Sequence, residues 1–169
     1  MRMRLYSLIF LLVSCSVFAD GAKVAVVDLK KVAAESLAGK DIEKQMKAIN
    51  NESKTDLLDL ENQIKSMDNS KKTDLDTRKI EELQVVLYDM VREKKYTISA
   101  AYNQAISHLD KEIKQVVRDI CKRKKLSVVI AQDAVIYFDN SDCKDITQET
   151  IKELNKRCKS IKVEVKETN

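Results

Sequence analysis

The chain has 169 residues with a formal net charge of +4, and it contains no proline, no tryptophan and only two glycines, Gly21 and Gly39. Because glycine and proline supply the backbone conformations of tight turns, their scarcity excludes a hairpin-rich all-β fold. An apolar content of 44% excludes a disordered chain, and 34% charged with 5% aromatic residues is typical of long amphipathic helices.

The first nineteen residues have the pattern of a secretory signal. A positively charged start precedes an apolar run, Leu5–Val13, that is too short to cross a bilayer, and small residues lead up to Ala19. We therefore expect cleavage after Ala19, so that the mature chain begins at Asp20. Residues 12–15 also resemble a lipoprotein signal, and in that alternative Cys15 is acylated and anchors the chain.

The mature chain begins with a β-branched run, Lys23–Leu29, which predicts a buried strand. From about Glu35 the apolar residues follow steps of three and four, which predicts a helix with one apolar seam. The seam positions are Ile42, Met46, Ile49, Ser53, Leu57, Leu60, Ile64 and Met67.

A polar cluster at residues 66–77 interrupts this pattern, and a second seam follows it. Its positions are Ile80, Leu83, Leu87, Met90, Lys94, Ile98, Ala101, Ala105, Leu109, Ile113, Val116 and Ile120. Two helices of about 35 to 45 residues would fold back on each other as an arm roughly 50 to 65 Å long. Ser53, Lys94, Ala101 and Ala105 are gaps in the seam, so we expect a flexible arm.

After the basic residues 122–125 that close the second helix, Leu126–Ala131 and Ala134–Phe138 are strand-like. Asp145 and Gln148 form a potential capping box for a short helix through Ile151 and Leu154. The tail alternates apolar and charged residues at positions 161–165, which fits either an added strand or disorder. The predicted organisation is a signal at 1–19, a β-rich body at 20–34 and 125–169, and a helical arm at 35–124.

Three cysteines remain after the signal. Cys143 and Cys158 are a possible disulfide that would leave Cys121 free, and the alternative is that all three are small buried apolar residues. His108 has no metal-ligand partner at a recognisable spacing, and two glycines cannot build a phosphate loop. We expect no enzyme activity, no metal, no cofactor and no nucleic-acid partner.

Short strands interrupted by a helical hairpin cannot bury both faces of a sheet within one subunit. Strands shared between subunits would cover both the sheet edges and its open face, so the burial argument alone predicts an oligomer.

Two segments resemble the Skp/OmpH family of periplasmic chaperones, namely KVAVVDLKKV at 23–32 and LSVVIAQDAVIYFDNSDCKDITQETIKEL at 126–154. The resemblance implies an α+β fold, with a small intersubunit β-barrel body in a homotrimer and one long antiparallel α-helical hairpin, or tentacle, per subunit. It also implies a periplasmic holdase that encloses unfolded outer-membrane β-barrel proteins between its arms without ATP.

The resemblance further implies roles for individual residues. The trimer body would include Val24, Val26, Val128, Ile130, Val135 and Tyr137. The client-binding candidates on the arm are Leu60, Ile64, Met67, Leu83, Leu87 and Met90. For any single methionine, ordinary packing between the two helices is the alternative.

The sequence departs from the family in its charge. Acidic and basic residues are nearly balanced along the arm, and the basic cluster that family members carry in the second helix is replaced by Ile98, Ala100, Ala101, Ile106 and Glu112. The resemblance therefore gives no ground to expect lipopolysaccharide binding. The alternative function is a structural coiled-coil envelope protein, including a lipid-anchored one, whose arms bridge layers or pair with a partner.

Overall fold

A computed structural model describes residues 23–70, 73–137 and 143–166. The predicted signal, its cleavage site and the alternative lipidation site at Cys15 lie outside these residues. The elements in chain order are β1 (Val24–Val27), α1 (Leu29–Glu35), α2 (Leu37–Ser70), α3 (Asp74–Lys124), β2 (Val128–Ala131), a single 3₁₀ turn (Gln132–Ala134), β3 (Cys143–Asp145) and α4 (Thr147–Arg157).

The three strands form one parallel sheet with β1 in the centre and the order β2-β1-β3. The strand predicted over Lys23–Leu29 is confirmed as β1 for its central residues, where a run of Val and Ala suits a buried strand, but Leu29 already begins α1. The sheet is open within the described residues, and the barrel that was expected to form between subunits stays a prediction.

The second strand predicted after the arm, Ala134–Phe138, is wrong for its described part. Residues 132–134 form the 3₁₀ turn instead, and the backbone N–H of Val135 donates to the carbonyl oxygen of Gln132 at 3.1 Å. Residues 135–137 follow without strand pairing. The other edge of β1 is taken by β3, with Val24 opposite Cys143 and Val26 opposite Asp145.

The helical region begins earlier than predicted and is broken once. Asp28 caps α1 by accepting from the backbone N–H of Lys31, and the buried Ser36 then separates α1 from α2 in an extended conformation. A Cβ built on Gly39 would lie 1.7 Å from the carbonyl oxygen of Ala33. Only glycine therefore allows the first turn of α2 to approach the end of α1 this closely.

The two arm helices are confirmed, with 34 residues in α2, but α3 is longer than predicted, with 51 residues. At 1.5 Å per residue they are roughly 50 and 75 Å long. Thr73 and Asp76 form a capping box at the start of α3, as the polar composition of the tip predicts. The helix ends at Lys124, and the following residue, Lys125, caps it in the left-handed conformation with φ of 54°.

The core lies where the base of the arm meets the sheet. Its most completely buried large side chains come from α2, α3 and α4 and from the residue just before α4: Ile42, Leu109, Ile120, Leu154 and Ile146. Only the base of the arm is anchored in this core, so the rest of the hairpin is covered by its own two helices.

The C-terminal helix is confirmed as α4, but the predicted pairing of Asp145 with Gln148 is not its cap. Asp145 instead accepts from the backbone N–H of Thr147 at 2.8 Å. The tail after α4 has neither of the two expected states, because it is extended without strand pairing and yet buries Ile161 and Val163. Its apolar residues pack against the core instead.

Candidate functional site

The residues that the sequence singled out as client-binding candidates are mostly only partly covered in the arm. Ile64 is buried, and Leu60, Met67, Leu83, Leu87 and Met90 are half-buried. In an arm of two helices, the surface available to cover such side chains is the opposite helix. Packing between the two helices accounts for this partial burial, and contact of these side chains with a client stays a prediction.

The apolar surface of the arm is instead presented by residues that sequence reasoning missed. Their side chains are between 42% and 76% exposed: Leu58, Leu75, Val85, Val86, Tyr88, Val91, Tyr96 and Tyr102. Seven of these eight lie on α3. The signal that could have found them is an excess of apolar residues at positions between those of the seam.

Val85, Tyr88 and Tyr96 share one face of α3, since their spacing follows the three- and four-residue steps of a helix. Arg92 lies between the two tyrosines, 6.0 Å from the ring centre of Tyr88, and pairs with Asp89 at 3.0 Å. The face thus alternates rings with paired charges.

The seam opens at Ser53 and Lys94, two of the four predicted gaps. Two clefts of about 570 and 430 Å³ lie between α2 and α3, and both are lined by Ser53, Lys94 and Ile98. Lys94 spans the hairpin to form an ion pair with Asp56. The helices are therefore held across this opening by a partly exposed polar contact.

The other two predicted gaps, Ala101 and Ala105, are not openings. Their side chains are 5% and 3% exposed and belong to the core. Small residues here allow α3 to approach its neighbours closely, so the base of the arm is tightly packed while its middle is open.

Ion pairs fix α4 against the base of α3. Glu149 bonds Arg123 and Lys124 at 3.1 and 3.0 Å, and Arg157 reaches Glu112 and Asp119 at 3.3 and 2.9 Å. Partial burial acts to raise the pKa of Glu149, but its hydrogen bonds to the two basic residues outweigh this and hold the pKa below its ordinary value. These ion pairs therefore hold the base of the arm against α4 of the body.

Four of the six predicted body residues lie on one face of the sheet. The register pairs Val24 with Val128 and Val26 with Ile130, so these four side chains share a face, while Ala25 and Val27 enter the core on the opposite face. Val26 is buried and Val24 half-buried, but Val128 is 47% and Ile130 37% exposed. Beyond this sheet Val135 is half-buried and Tyr137 is 82% exposed.

The three described cysteines are free, so no bond joins Cys143 to Cys158 in this structure. Cys143 is buried on β3. The thiol of Cys158 lies 3.6 Å from the carbonyl oxygen of Ser160, and burial and the nearby carboxylate of Glu112 raise its pKa. The two thiols thus have separate environments, and their pairing remains a prediction.

Neither a metal centre nor a membrane span is found among the residues that the structure describes. No group of three or more His, Cys, Asp or Glu side chains is arranged to hold a metal ion. The helices within 23–70, 73–137 and 143–166 include none with the length and apolar character to cross a bilayer.

Comparison with known proteins shows which fold and which family the chain shares. A crystal structure from Caulobacter crescentus CB15, described as a candidate outer membrane chaperone (OmpH-like), superposes with a TM-score of 0.76 at 17% identity. The match covers 88% of this chain and 93% of the other, so the two share a fold. No curated protein matches the chain. The family model for outer membrane protein (OmpH-like) matches residues 23–154, and the chain therefore belongs to the OmpH-like family.

Proposed function

We propose that the protein is an ATP-independent periplasmic holdase that keeps unfolded outer-membrane β-barrel proteins from aggregating, in a cavity between the arms of a homotrimer. Membership of the OmpH-like family and the description of the Caulobacter crescentus structure support a chaperone of this kind. The predicted signal would bring the chain to the compartment where such clients pass.

The observation that carries the proposal is the exposed apolar surface spread along an otherwise charged arm. Tyr88, Tyr96 and Val85 are each more than 60% exposed and share one face of α3, and apolar residues grouped on an exposed face, unlike single ones, indicate an interaction surface. Dispersed rings and aliphatic side chains make many weak contacts without a shaped pocket. That arrangement suits clients that share amphipathic character but no common sequence.

The exposed side of the sheet supports assembly through the body. Parallel sheets are normally covered on both faces, yet Val128, Ile130 and Tyr137 leave apolar surface open on a single chain. Covering this surface with the same surface of other subunits would close the sheet into a shared body and set several arms around one space. Ile130→Asp would place a charge in that interface and is expected to yield monomers.

The test is suppression of aggregation by the purified mature chain. A urea-denatured outer-membrane β-barrel protein is diluted into buffer with and without the chain, light scattering is followed, and the mass of the complex is measured. The proposal predicts low scattering and a complex containing a trimer. A monomer that leaves scattering unchanged would instead favour the structural envelope role.

A matched pair of variants locates the binding surface. Tyr88→Ser with Tyr96→Ser removes the exposed rings and is expected to raise the chain concentration needed for half suppression by about tenfold, because each ring contributes about 0.5 to 1 kcal/mol. Gln84→Ser with Asn103→Ser changes two exposed polar residues on the same helix and should leave suppression unaltered. An equal loss of suppression in both double variants would show that the tyrosine rings do not bind the client.

A further inference from the structure

The C-terminal tail is held on α2 through its backbone. The side-chain amide of Gln45 donates from Nε2 to the carbonyl oxygen of Ile161 and accepts at Oε1 from the backbone N–H of Val163, both at 2.9 Å. Asp41 orients this amide by accepting from its Nε2 at 2.7 Å, and also accepts from the hydroxyl of Ser160 at 2.6 Å. One glutamine thus supplies the donor and acceptor that a neighbouring strand would supply.

The tail also inserts every second side chain. Ile161 and Val163 are 4% and 7% exposed and join the core, whereas Lys162 and Glu164 point to solvent. Backbone hydrogen bonds combined with pockets for alternate side chains read an extended, alternating segment with little dependence on its exact sequence. We name the surface around Gln45 and Asp41 that receives residues 160–163 the tail groove.

The tail groove continues into the opening of the arm. Val163 and Val165 form one wall of the cleft of about 570 Å³, and Ile49, Met90 and Ile98 line it from the helices. The helices also contribute Glu52, Asp56, Glu93 and Lys94 to this cleft, so the surface beside the tail alternates apolar and charged side chains, as the tail itself does. A longer extended chain would find further contacts there.

The alternation in the tail, Ile-Lys-Val-Glu-Val-Lys at 161–166, is the pattern of a transmembrane β-strand, in which lipid-facing apolar residues alternate with polar ones. We propose that the tail groove binds an extended, alternating segment of an unfolded outer-membrane β-barrel protein, and that the tail is a tethered competitor for the same site. This inference rests on the proposed function and assigns it a specific binding site. The tail lies beyond the residues matched by the family model.

The tail competes effectively because it is covalently connected to the chain that carries the tail groove. A segment joined to its own site by a short connection acts at an effective concentration in the millimolar range, so weak ligands are excluded and long multivalent clients can displace it. The tail would thereby favour unfolded chains over short peptides.

A direct test uses a labelled peptide in trans. The probe is a fluorescent peptide with the sequence of residues 160–169, and its control has the same composition with the apolar residues made contiguous. The receptors are the mature chain and its Val163→Asp variant, in which the buried carboxylate expels the tail. We expect the alternating peptide to bind the variant at least about tenfold more tightly than the unaltered chain.

Adding Gln45→Ala to the Val163→Asp variant should weaken the peptide about tenfold, since both backbone bonds are lost. Absence of peptide binding to a folded Val163→Asp variant, or equal binding of both peptides, overturns the proposal.

A second measurement needs no substitution. Binding of the denatured client to the unaltered chain should raise the exchange rate of the Val163 amide by about tenfold or more, because the client displaces the tail from Gln45. Unchanged exchange with client bound overturns the competition. If the chain binds no client, the proposed function fails, and the peptide experiment still decides whether the tail groove recognises extended segments.

Discussion

Filling the opening in the arm seam should strengthen the pairing of its two helices. Ser53 is half-buried where both clefts between α2 and α3 meet, and its small polar side chain leaves this space unfilled. Ser53→Leu would extend the apolar seam across it. The neighbouring clefts provide room for the larger side chain, so we expect no steric cost.

The size of the effect follows from burial. Full burial of a leucine side chain is worth about 1.5 to 3 kcal/mol, and a half-buried position should give about half of that, or roughly 1 kcal/mol. Leucine is also a slightly better helix former than serine, by a few tenths of a kcal/mol. Ser66→Leu at an exposed position of the same helix carries this second contribution without burial and is the control, although it also removes the exposed hydrogen bond from the Ser66 hydroxyl to the carbonyl oxygen of Gln63 at 2.8 Å.

The assay is urea denaturation of both variants at one fixed protein concentration, because subunit association would otherwise change the apparent stability. Amide exchange along α2 should slow around residue 53 in Ser53→Leu alone. The reasoning is refuted if Ser53→Leu and Ser66→Leu have the same free energy of unfolding, since the opening would then not weaken the seam.

Three further predictions concern the base of the arm and its junction with the body. Gly39→Ala should lower the free energy of unfolding by at least about 3 kcal/mol, measured by urea denaturation, because its Cβ meets the Ala33 carbonyl; an unchanged midpoint would contradict this contact. Glu149 has a lowered pKa, so its stabilisation is complete above about pH 4.3 and is lost as the pH falls through the lowered pKa. Thermal unfolding of Glu149→Gln should lack that component of the pH dependence. Burial and Glu112 raise the pKa of Cys158, so Glu112→Gln should speed its alkylation at pH 7.5, followed by peptide mass spectrometry; an equal rate would exclude the carboxylate as a cause.

The elements that could be predicted from sequence are those with a long local pattern. The seam from Ile42 to Ile120 fixes the two arm helices, and the β-branched run at the start of the mature chain fixes β1. By contrast, Cys143–Asp145 is a strand because β1 has a free edge beside it, and three residues carry no pattern of their own. Residues 135–137 have strand-like side chains, but they follow directly on the 3₁₀ turn and pair with no strand of the described sheet.

The candidate binding surfaces also include features that the sequence predicts and features that it does not. A polar residue in an apolar seam, such as Ser53 or Lys94, is visible in the sequence and corresponds to a real opening. Ala101 and Ala105 have the same absence of bulk but are buried, since small residues also allow close helix packing and the sequence does not distinguish the two outcomes. The hydrogen bonds between Gln45 and the tail join residues more than a hundred positions apart, so no local sequence pattern predicts them.

The strand order imposes a sequence of events on folding. β1 is among the first described segments to be synthesised, yet both of its neighbours in the sheet follow the whole arm, with Val24 opposite Val128 and Cys143. The hairpin can form early from contacts between consecutive helices, whereas the sheet has to wait until nearly the entire chain is present. During that interval β1 exposes unpaired backbone and apolar side chains. The protein is therefore itself prone to aggregate until β3 has been synthesised and has paired with β1.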